Sequence, residues 1–127
     1  MSTLRRTKQR DAILKEIQSA EGPLSVNQIY GRASGGLPGL GIATVYRTIK
    51  ALREEGEVSV VELPGEEPRY EPAGRGHHHH FRCLSCEQTF DLEMCPVGIP
   101  NGTMLPGGYR VEDHNLTLYG RCSGCLA

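Results

Sequence analysis

Two Cys-x-x-Cys pairs constrain this chain of 127 residues more than any other feature. They are Cys83 with Cys86 and Cys122 with Cys125. Each pair places two soft sulfur ligands on one tight turn, and two such turns can form the four-thiolate tetrahedral cage that zinc adopts in structural sites. The 35 residues between Cys86 and Cys122 do not prevent this, because doubling a loop costs only about 0.6 kcal/mol in closure entropy. We predict one structural Zn²⁺ held by all four cysteines.

The alternative use of these cysteines is disulfide bonding, which requires an oxidising compartment. The N-terminal residues 1–6 are not followed by an apolar stretch that could serve as a secretory signal. No segment approaches the roughly 20 apolar residues of a membrane span. We therefore expect a cytoplasmic protein with no membrane partner, in which reduced cysteines bind metal.

An unbroken run of histidines, from His77 to His80, stands directly before the first cysteine pair. A cage with four sulfurs needs no imidazole, so this run indicates a second metal that can bind reversibly. An expression tag or a solvated loop is the alternative, but tags lie at chain termini. In an extended strand, alternate side chains point to opposite faces, so the run can contribute to two sites.

The first part of the chain predicts three helices followed by a β-hairpin. Thr7 can cap the first helix, and Ser25 with Gln28 forms a capping box for the second. A third helix is expected from about Ala43 to Glu55, with Gly56 as its stop. The strands of the hairpin are expected at residues 58–63 and 68–71.

Three helices and a β-wing are the elements of a winged helix-turn-helix, whose third helix enters the major groove of DNA. Arg47 could pair with guanine and Tyr46 could touch a thymine methyl group, while basic residues of the first helix could meet phosphates or the minor groove. The candidate DNA-binding residues are Arg5, Arg10, Thr44, Tyr46 and Arg47. A solvated basic helix face, or a winged helix that binds protein, is the alternative.

The charge distribution agrees with two separate functions along the chain. Residues 1–60 contain nine Lys/Arg against six Asp/Glu, whereas the remainder contains five against nine. The first part is therefore basic and the second acidic. We predict an α+β protein in which residues 1–72 form a winged-helix DNA-binding domain and residues 73–127 form a small metal-binding domain.

Five segments in this order and spacing resemble the ferric uptake regulator family. They are Thr7–Arg10, Ala43–Ile49, Arg69–Glu71, His77–Cys86 and His114–Cys125. The resemblance covers nearly the whole chain. It implies a homodimeric, metal-dependent transcription repressor with an N-terminal winged helix, a C-terminal α/β dimerisation domain and a structural zinc in the four-cysteine site.

The resemblance also implies regulatory metal sites. The site at the hinge between the domains would consist of Glu71, His78, His80 and Asp91. Nitrogen and oxygen ligands without thiolate suit Fe²⁺, Mn²⁺ or Zn²⁺. A second regulatory site would use His77, His79 and His114 with a carboxylate. Cys95, the fifth cysteine, is expected to be a small buried side chain.

Three departures from the family pattern matter. No histidine stands before the second helix, where the chain has Gly22-Pro23-Leu24, and Ala73 occupies a position where zinc-uptake members have cysteine. The family's dimerisation helix is replaced by a segment rich in proline and glycine before Gly108-Tyr109.

Asp91, where other members have glutamate, resembles the peroxide-sensing branch.

The resulting prediction is a repressor that controls iron or manganese homeostasis by binding a palindromic, AT-rich operator as a homodimer. An Fe-dependent peroxide-stress sensor and a zinc-uptake regulator are the alternatives within the family. A zinc hydrolase or a metal-storage protein is a more distant alternative. No His-Glu-x-x-His helix or nucleophile elbow supports an enzyme.

Overall fold

The computed structural model describes residues 3–74 and 78–126, and only the backbone of residues 3–6. The chain divides into two compact units, Met1–Arg75 and Gly76–Ala127. The first contains three helices and a small sheet, and the second contains a mixed sheet and a separate hairpin. The α+β class predicted from the sequence is confirmed. In the part of the chain described, no helix has the length and apolar character needed to cross a membrane.

The helices of the first unit are set by local sequence signals. Ser25 Oγ accepts a hydrogen bond from the Gln28 N–H at 3.2 Å, and Gln28 Oε1 accepts one from the Ser25 N–H at 2.9 Å, which is the predicted capping box. The cap predicted at Thr7 is wrong, because the first helix already begins at Thr3 and residues 3–6 contain no helix breaker. The helices are α1 (Thr3–Ser19), α2 (Val26–Ala33) and α3 (Ile42–Glu54), with a 3-10 turn at Ser34–Gly36.

Gly56 ends α3 through its positive φ of 78°. The Glu57 N–H donates to the Leu52 carbonyl at 2.9 Å, and the Gly56 N–H donates to the Arg53 carbonyl at 3.1 Å. This is the Schellman arrangement, which satisfies two carbonyls of the last turn. The chain leaves the helix here and enters the wing.

The core of the first unit lies between the three helices and the wing. Its largest fully buried side chains are branched and aliphatic, as expected for a small domain that depends on close packing. They include Ile13, Ile17, Ile29, Val45 and Leu52. The burial of Val45, Ile49 and Leu52 fixes the rotation of α3, so its polar side faces solvent.

The wing is a three-stranded antiparallel sheet rather than the predicted two-stranded hairpin. Its strands β1 (Leu24–Ser25), β2 (Val58–Val61) and β3 (Arg69–Pro72) lie in the order β1-β3-β2. Strand β1 was not predicted, because a strand of two residues shows no periodic pattern in the sequence. The buried Arg69 joins this sheet to α2, since its Nη1 donates to Gln28 Oε1 at 2.9 Å.

The sheet of the second unit is arranged around β4 (His79–Cys83). This strand pairs in antiparallel fashion with β5 (Thr89–Leu92) and in parallel fashion with β8 (Thr117–Gly120). The short helix α4 (Ser123–Leu126) follows β8. This connectivity brings Cys83 and Cys86, at and just after the end of β4, next to Cys122 and Cys125, just before and within α4.

Between β5 and β8 the chain makes an excursion, residues 93–116, that contains a short hairpin. Strands β6 (Met104–Leu105) and β7 (Tyr109–Arg110) are joined by a turn in which Gly107 has a φ of 93° and the Gly108 N–H donates to the Leu105 carbonyl at 3.2 Å. Proline followed by a glycine of positive φ is the pattern of a type II turn. All of residues 93–116 are described and none is helical, in agreement with the expected replacement of the family's helix.

Candidate metal centres

The four cysteines of the Cys-x-x-Cys pairs form one cluster. The ligand atoms of Cys83, Cys86, Cys122 and Cys125 all lie within 4.8 Å of one another, and the Cys86 and Cys122 sulfurs are 3.9 Å apart. A tetrahedral zinc with Zn–S bonds near 2.3 Å requires sulfurs about 3.8 Å apart. The spacing is far longer than a disulfide bond, and all four thiols are free. The cluster is therefore suited to structural zinc.

Backbone hydrogen bonds favour the thiolate form of one of these cysteines, which is the form that binds metal. The N–H groups of Cys122 and Cys86 each lie 3.4 Å from Cys83 Sγ, and they lower the pKa of the Cys83 thiol to about 5. The pKa of Cys125 is raised to about 11, chiefly by its hydrogen bond with the Cys122 side chain. Closely spaced sulfurs cannot all ionise without a compensating cation, so binding of a divalent metal would release the remaining protons.

A second cluster in this unit combines nitrogen and oxygen donors. His80 in β4 stands opposite Asp91 in β5. Asp91 Oδ1 lies 3.6 Å from His80 Nε2 and 3.9 Å from His78 Nε2. The imidazole rings of His78 and His80 approach with their centroids 5.0 Å apart. A single Asp91 oxygen thus faces two imidazoles at distances longer than a hydrogen bond, as donors around one cation would be.

Two further residues were predicted as ligands of the regulatory sites. Glu71 belongs to the first unit, where it is buried in β3 opposite Ser59 of β2. Six residues separate it from His78 along the chain. His77 lies outside the described residues.

His79 points away from His78 and His80 and belongs to a third cluster. Its Nε2 lies 3.0 Å from Nε2 of His114, and Cys95 Sγ lies 3.4 Å from the same His114 atom. The predicted carboxylate is absent from this cluster among the residues that the structure describes, and Cys95 stands in its place. Cys95 is half-buried, so it is not the buried apolar side chain that the sequence suggested. Its position depends on the path of the excursion, which no local motif encodes.

The solvent-facing side of α3 carries three of the five candidate DNA-binding residues. Tyr46 is 55% exposed, and Arg47 Nη2 donates to Thr44 Oγ1 at 3.1 Å on the same side of the helix. Arg10 in α1 forms an exposed ion pair with Glu55, with Nη2 and Oε1 2.5 Å apart. Arg5 lies in α1, and its side chain is outside the described part of the structure.

Sequence comparisons relate the chain to known regulators. The sequence model of the ferric uptake regulator family matches residues 1–119. The ferric uptake regulation protein of Campylobacter jejuni is 30% identical over 125 residues, which are 96% of this chain and 80% of that protein. The peroxide operon regulator of Bacillus subtilis is 28% identical over 125 residues, which are 96% of this chain and 84% of that protein.

A solved structure shows the same fold. A zinc-bound manganese uptake regulator superimposes with a TM-score of 0.75, covering 91% of this chain and 88% of that one at 24% identity. At this identity the similarity concerns the fold alone.

The four-cysteine cluster leads to a prediction about zinc content. Replacing one ligand in Cys122→Ser should leave the purified protein with one zinc fewer per chain than the parent, and it should lower thermal stability because zinc binding contributes to folding. Elemental analysis and thermal unfolding measure both effects. The neighbouring Ser123→Ala replacement is the control and should retain the parent's zinc. Equal zinc content in the two variants would contradict the four-thiolate site.

Proposed function

Because the chain belongs to the ferric uptake regulator family, we propose that it is a metal-dependent, sequence-specific DNA-binding transcriptional repressor that controls iron or manganese homeostasis. The observation that carries this proposal is the combination, in one chain, of a winged helix with an exposed polar third helix and a nitrogen–oxygen cluster separate from the four thiols. Members of this family are transcription regulators, and we propose no enzymatic activity. We assign the protein to the cytoplasm.

The DNA-binding part of the proposal assigns residues 1–72 to operator recognition. It is supported by the exposure of Tyr46 and Arg47 on the side of α3 opposite the buried core residues. Arg47 can offer two parallel N–H donors to guanine O6 and N7, and Thr44 helps to orient it. Arg5 and Arg10 would contact DNA phosphates. Arg10 would then have to leave Glu55, and their ion pair is exposed and therefore weak.

The metal-sensing part assigns residues 73–127 to metal binding and dimerisation. We propose that His78, His80 and Asp91 bind the regulatory ion together with Glu71. Support for Glu71 comes from the chain itself, because only six residues separate it from His78, and a chain cannot span more than about 3.6 Å per residue. Two imidazoles and two carboxylates suit Fe²⁺ or Mn²⁺, and also accept Zn²⁺.

We further propose that the protein acts as a homodimer on a palindromic, AT-rich operator. Support comes from the second unit, where apolar side chains of the excursion and of β8 are exposed. They include Met94, Met104, Leu105, Tyr109 and Tyr119. Two-fold symmetry of the dimer would place two α3 helices in successive major grooves about 34–36 Å apart.

The mechanism is a shift between populations of conformations. When Glu71 and the ligands of the second unit share one ion, they restrict the separation of the two DNA-binding domains. The restricted conformation is the one that binds both half-sites. By linkage, operator binding must then strengthen metal binding by the same factor, typically about 5- to 150-fold.

Peroxide sensing is the second candidate, and Asp91 is the residue that favours it. If the protein senses peroxide, His78 or His80 would gain one oxygen atom from peroxide when Fe²⁺ is bound, with water as the other product. The oxidised ring is a poorer ligand, so the DNA-binding conformation would be lost. The similarity to a peroxide operon regulator is compatible with this candidate.

Recognition by α3 can be tested with arginine replacements. Arg47→Ala should weaken operator binding by about 1–3 kcal/mol and relax base preference, because it removes a base contact. Arg53→Ala, an exposed arginine in the last turn of the same helix, is the matched control and should keep the base preference. Gel-shift titration against operator and scrambled duplexes measures both. If Arg47→Ala binds with unchanged affinity and selectivity, α3 does not read the bases.

The regulatory site can be tested by removing its ligands. His80→Ala and Asp91→Ala should each abolish the increase in operator affinity caused by Fe²⁺ or Mn²⁺, because they uncouple metal from DNA binding. The four-thiolate zinc should remain. Glu93→Ala, which removes an exposed carboxylate two residues away, is the control and should respond like the parent. Operator titrations at several metal concentrations supply the measurement, and full metal stimulation in Asp91→Ala would refute the site.

Peroxide treatment distinguishes the two candidate functions. If the protein senses peroxide, the Fe²⁺-loaded form should gain one oxygen atom at His78 or His80 and release DNA, while the Mn²⁺-loaded form should do neither. Mass spectrometry of peptides covering the histidine run and a parallel gel shift provide the two readouts. Unmodified histidines with retained DNA binding would leave metal homeostasis as the function.

A further inference from the structure

A buried arginine connects the wing to the helix on which α3 packs. Arg69 in β3 is only 7% exposed, and its Nη1 donates to Gln28 Oε1 in α2 at 2.9 Å. Its Nη2 lies 3.7 Å from Oε1 of Glu66, in the segment between β2 and β3. A buried guanidinium is costly unless it is paired and hydrogen-bonded, so these contacts hold its partners in place.

The acceptor that Arg69 uses is the oxygen that closes the capping box of α2. Gln28 Oε1 accepts the Ser25 N–H at 2.9 Å as well as the Arg69 Nη1–H at 2.9 Å. A carbonyl oxygen has two lone pairs, so it can accept both donors. Ser25 is also the partner of Arg69 in the β1–β3 ladder. One backbone pairing and one side-chain hydrogen bond therefore fix the first turn of α2 to β3.

Strand β3 carries a second buried charged residue beside this link. Glu71 is buried and stands two residues after Arg69. Alternate residues of a strand share a face, and Tyr70 between them belongs to the hydrophobic core. The proposed ligand of the regulatory ion and the arginine that holds α2 are therefore neighbours on one face of a strand of four residues.

We propose that Arg69 is a positioning residue that transmits the binding of the regulatory ion at Glu71 to the helix-turn-helix. An ion bound by Glu71 restricts the movement of β3, and the Arg69–Gln28 hydrogen bond makes the start of α2 follow the strand. Ile29 of α2 and Val45 of α3 share the buried core, so a restraint on α2 reaches the helix that faces DNA. This inference rests on the proposed function, in which Glu71 is a ligand.

A purely structural role is the alternative explanation of the same contacts. Arg69 would then stabilise the wing to the same extent with and without metal, and its loss would weaken operator binding equally in both states. The two explanations differ in the ratio of the operator affinities with and without metal. Measurements of thermal stability alone do not separate them.

Replacement of the arginine tests the transmission. Arg69→Met removes the hydrogen-bond donors and keeps an unbranched side chain. Operator titrations with and without Mn²⁺ should give an affinity ratio of about 5- to 150-fold for the parent. Arg69→Met should reduce this ratio by about 2- to 30-fold, as expected for a residue within a coupling network. Its Mn²⁺ affinity in the absence of DNA should not fall, because Arg69 is not a ligand.

A matched control uses another arginine that contacts a carboxylate. Arg32 lies in α2, and its Nε is 3.1 Å from Glu16 Oε1 in α1, so this pair does not involve the wing. Arg32→Met should keep the affinity ratio of the parent. An equal fall of the ratio in both variants would contradict a specific role for Arg69.

A charge pair should rescue the lost link. Arg69→Lys keeps the positive charge but lacks the planar fork of donors, so it should lower the ratio. Gln28→Glu keeps the capping-box acceptor and offers a carboxylate to the lysine. Combined with Arg69→Lys it should restore part of the ratio, whereas combined with Arg69→Met it should not. This pair of variants also carries the test if Arg69→Met does not fold.

Amide hydrogen exchange provides a readout that needs no DNA. Mn²⁺ should slow exchange of the Ser25 and Gln28 amides in the parent and should not do so in Arg69→Met. An unchanged affinity ratio in Arg69→Met would overturn the proposal, even if both operator affinities fell together. A parent that shows no metal stimulation at all would instead refute the proposed function. Unchanged exchange of the two amides in a metal-stimulated parent would overturn the role of Arg69 alone.

Discussion

Strand β4 is the element on which the second unit depends, because it pairs with a neighbour on each side. Pairing with β5 sets Asp91 opposite His80, and pairing with β8 brings the second cysteine pair to the end of the strand. The pleat then separates adjacent histidines, so that His79 and His80 belong to different clusters. One strand of five residues thus supplies ligands to every cluster of the second unit. A one-residue slip of its register would exchange the two faces and disrupt all of them.

The sequence predicted those parts of the structure that depend on short spacings. The capping box at Ser25, the Schellman glycine after α3 and the alternation along the histidine run are all decided within a few residues, where chain geometry leaves few choices. The four-cysteine cluster was also predictable, because each pair forms its own turn and only two turns must meet. By contrast, β1 has two residues and no pattern, and the start of α1 depended on the absence of a breaker rather than on a signal.

The neighbourhood of Cys95 could not be predicted, because it depends on how the excursion returns to the sheet. Nothing near Cys95 in sequence indicates that it lies beside two histidines, and Pro96 and the following glycines indicate only irregular structure. The ion pair between Arg10 and Glu55 was missed for the same reason, since 45 positions separate its partners. That pair is exposed and therefore weak. It restricts the movement of Arg10 towards DNA less than a buried ion pair would.

The three clusters of the second unit differ in the softness of their donors, and this difference has a functional consequence. Four sulfurs form a closed set that retains zinc, whereas imidazole and carboxylate donors bind divalent ions more weakly and exchange them. Most sites rank the divalent metals in the same order of affinity. A protein that responds to one ion in the presence of another therefore needs sites whose donor atoms differ. The four-thiolate position then stabilises the fold, and the nitrogen–oxygen position is left to report iron or manganese.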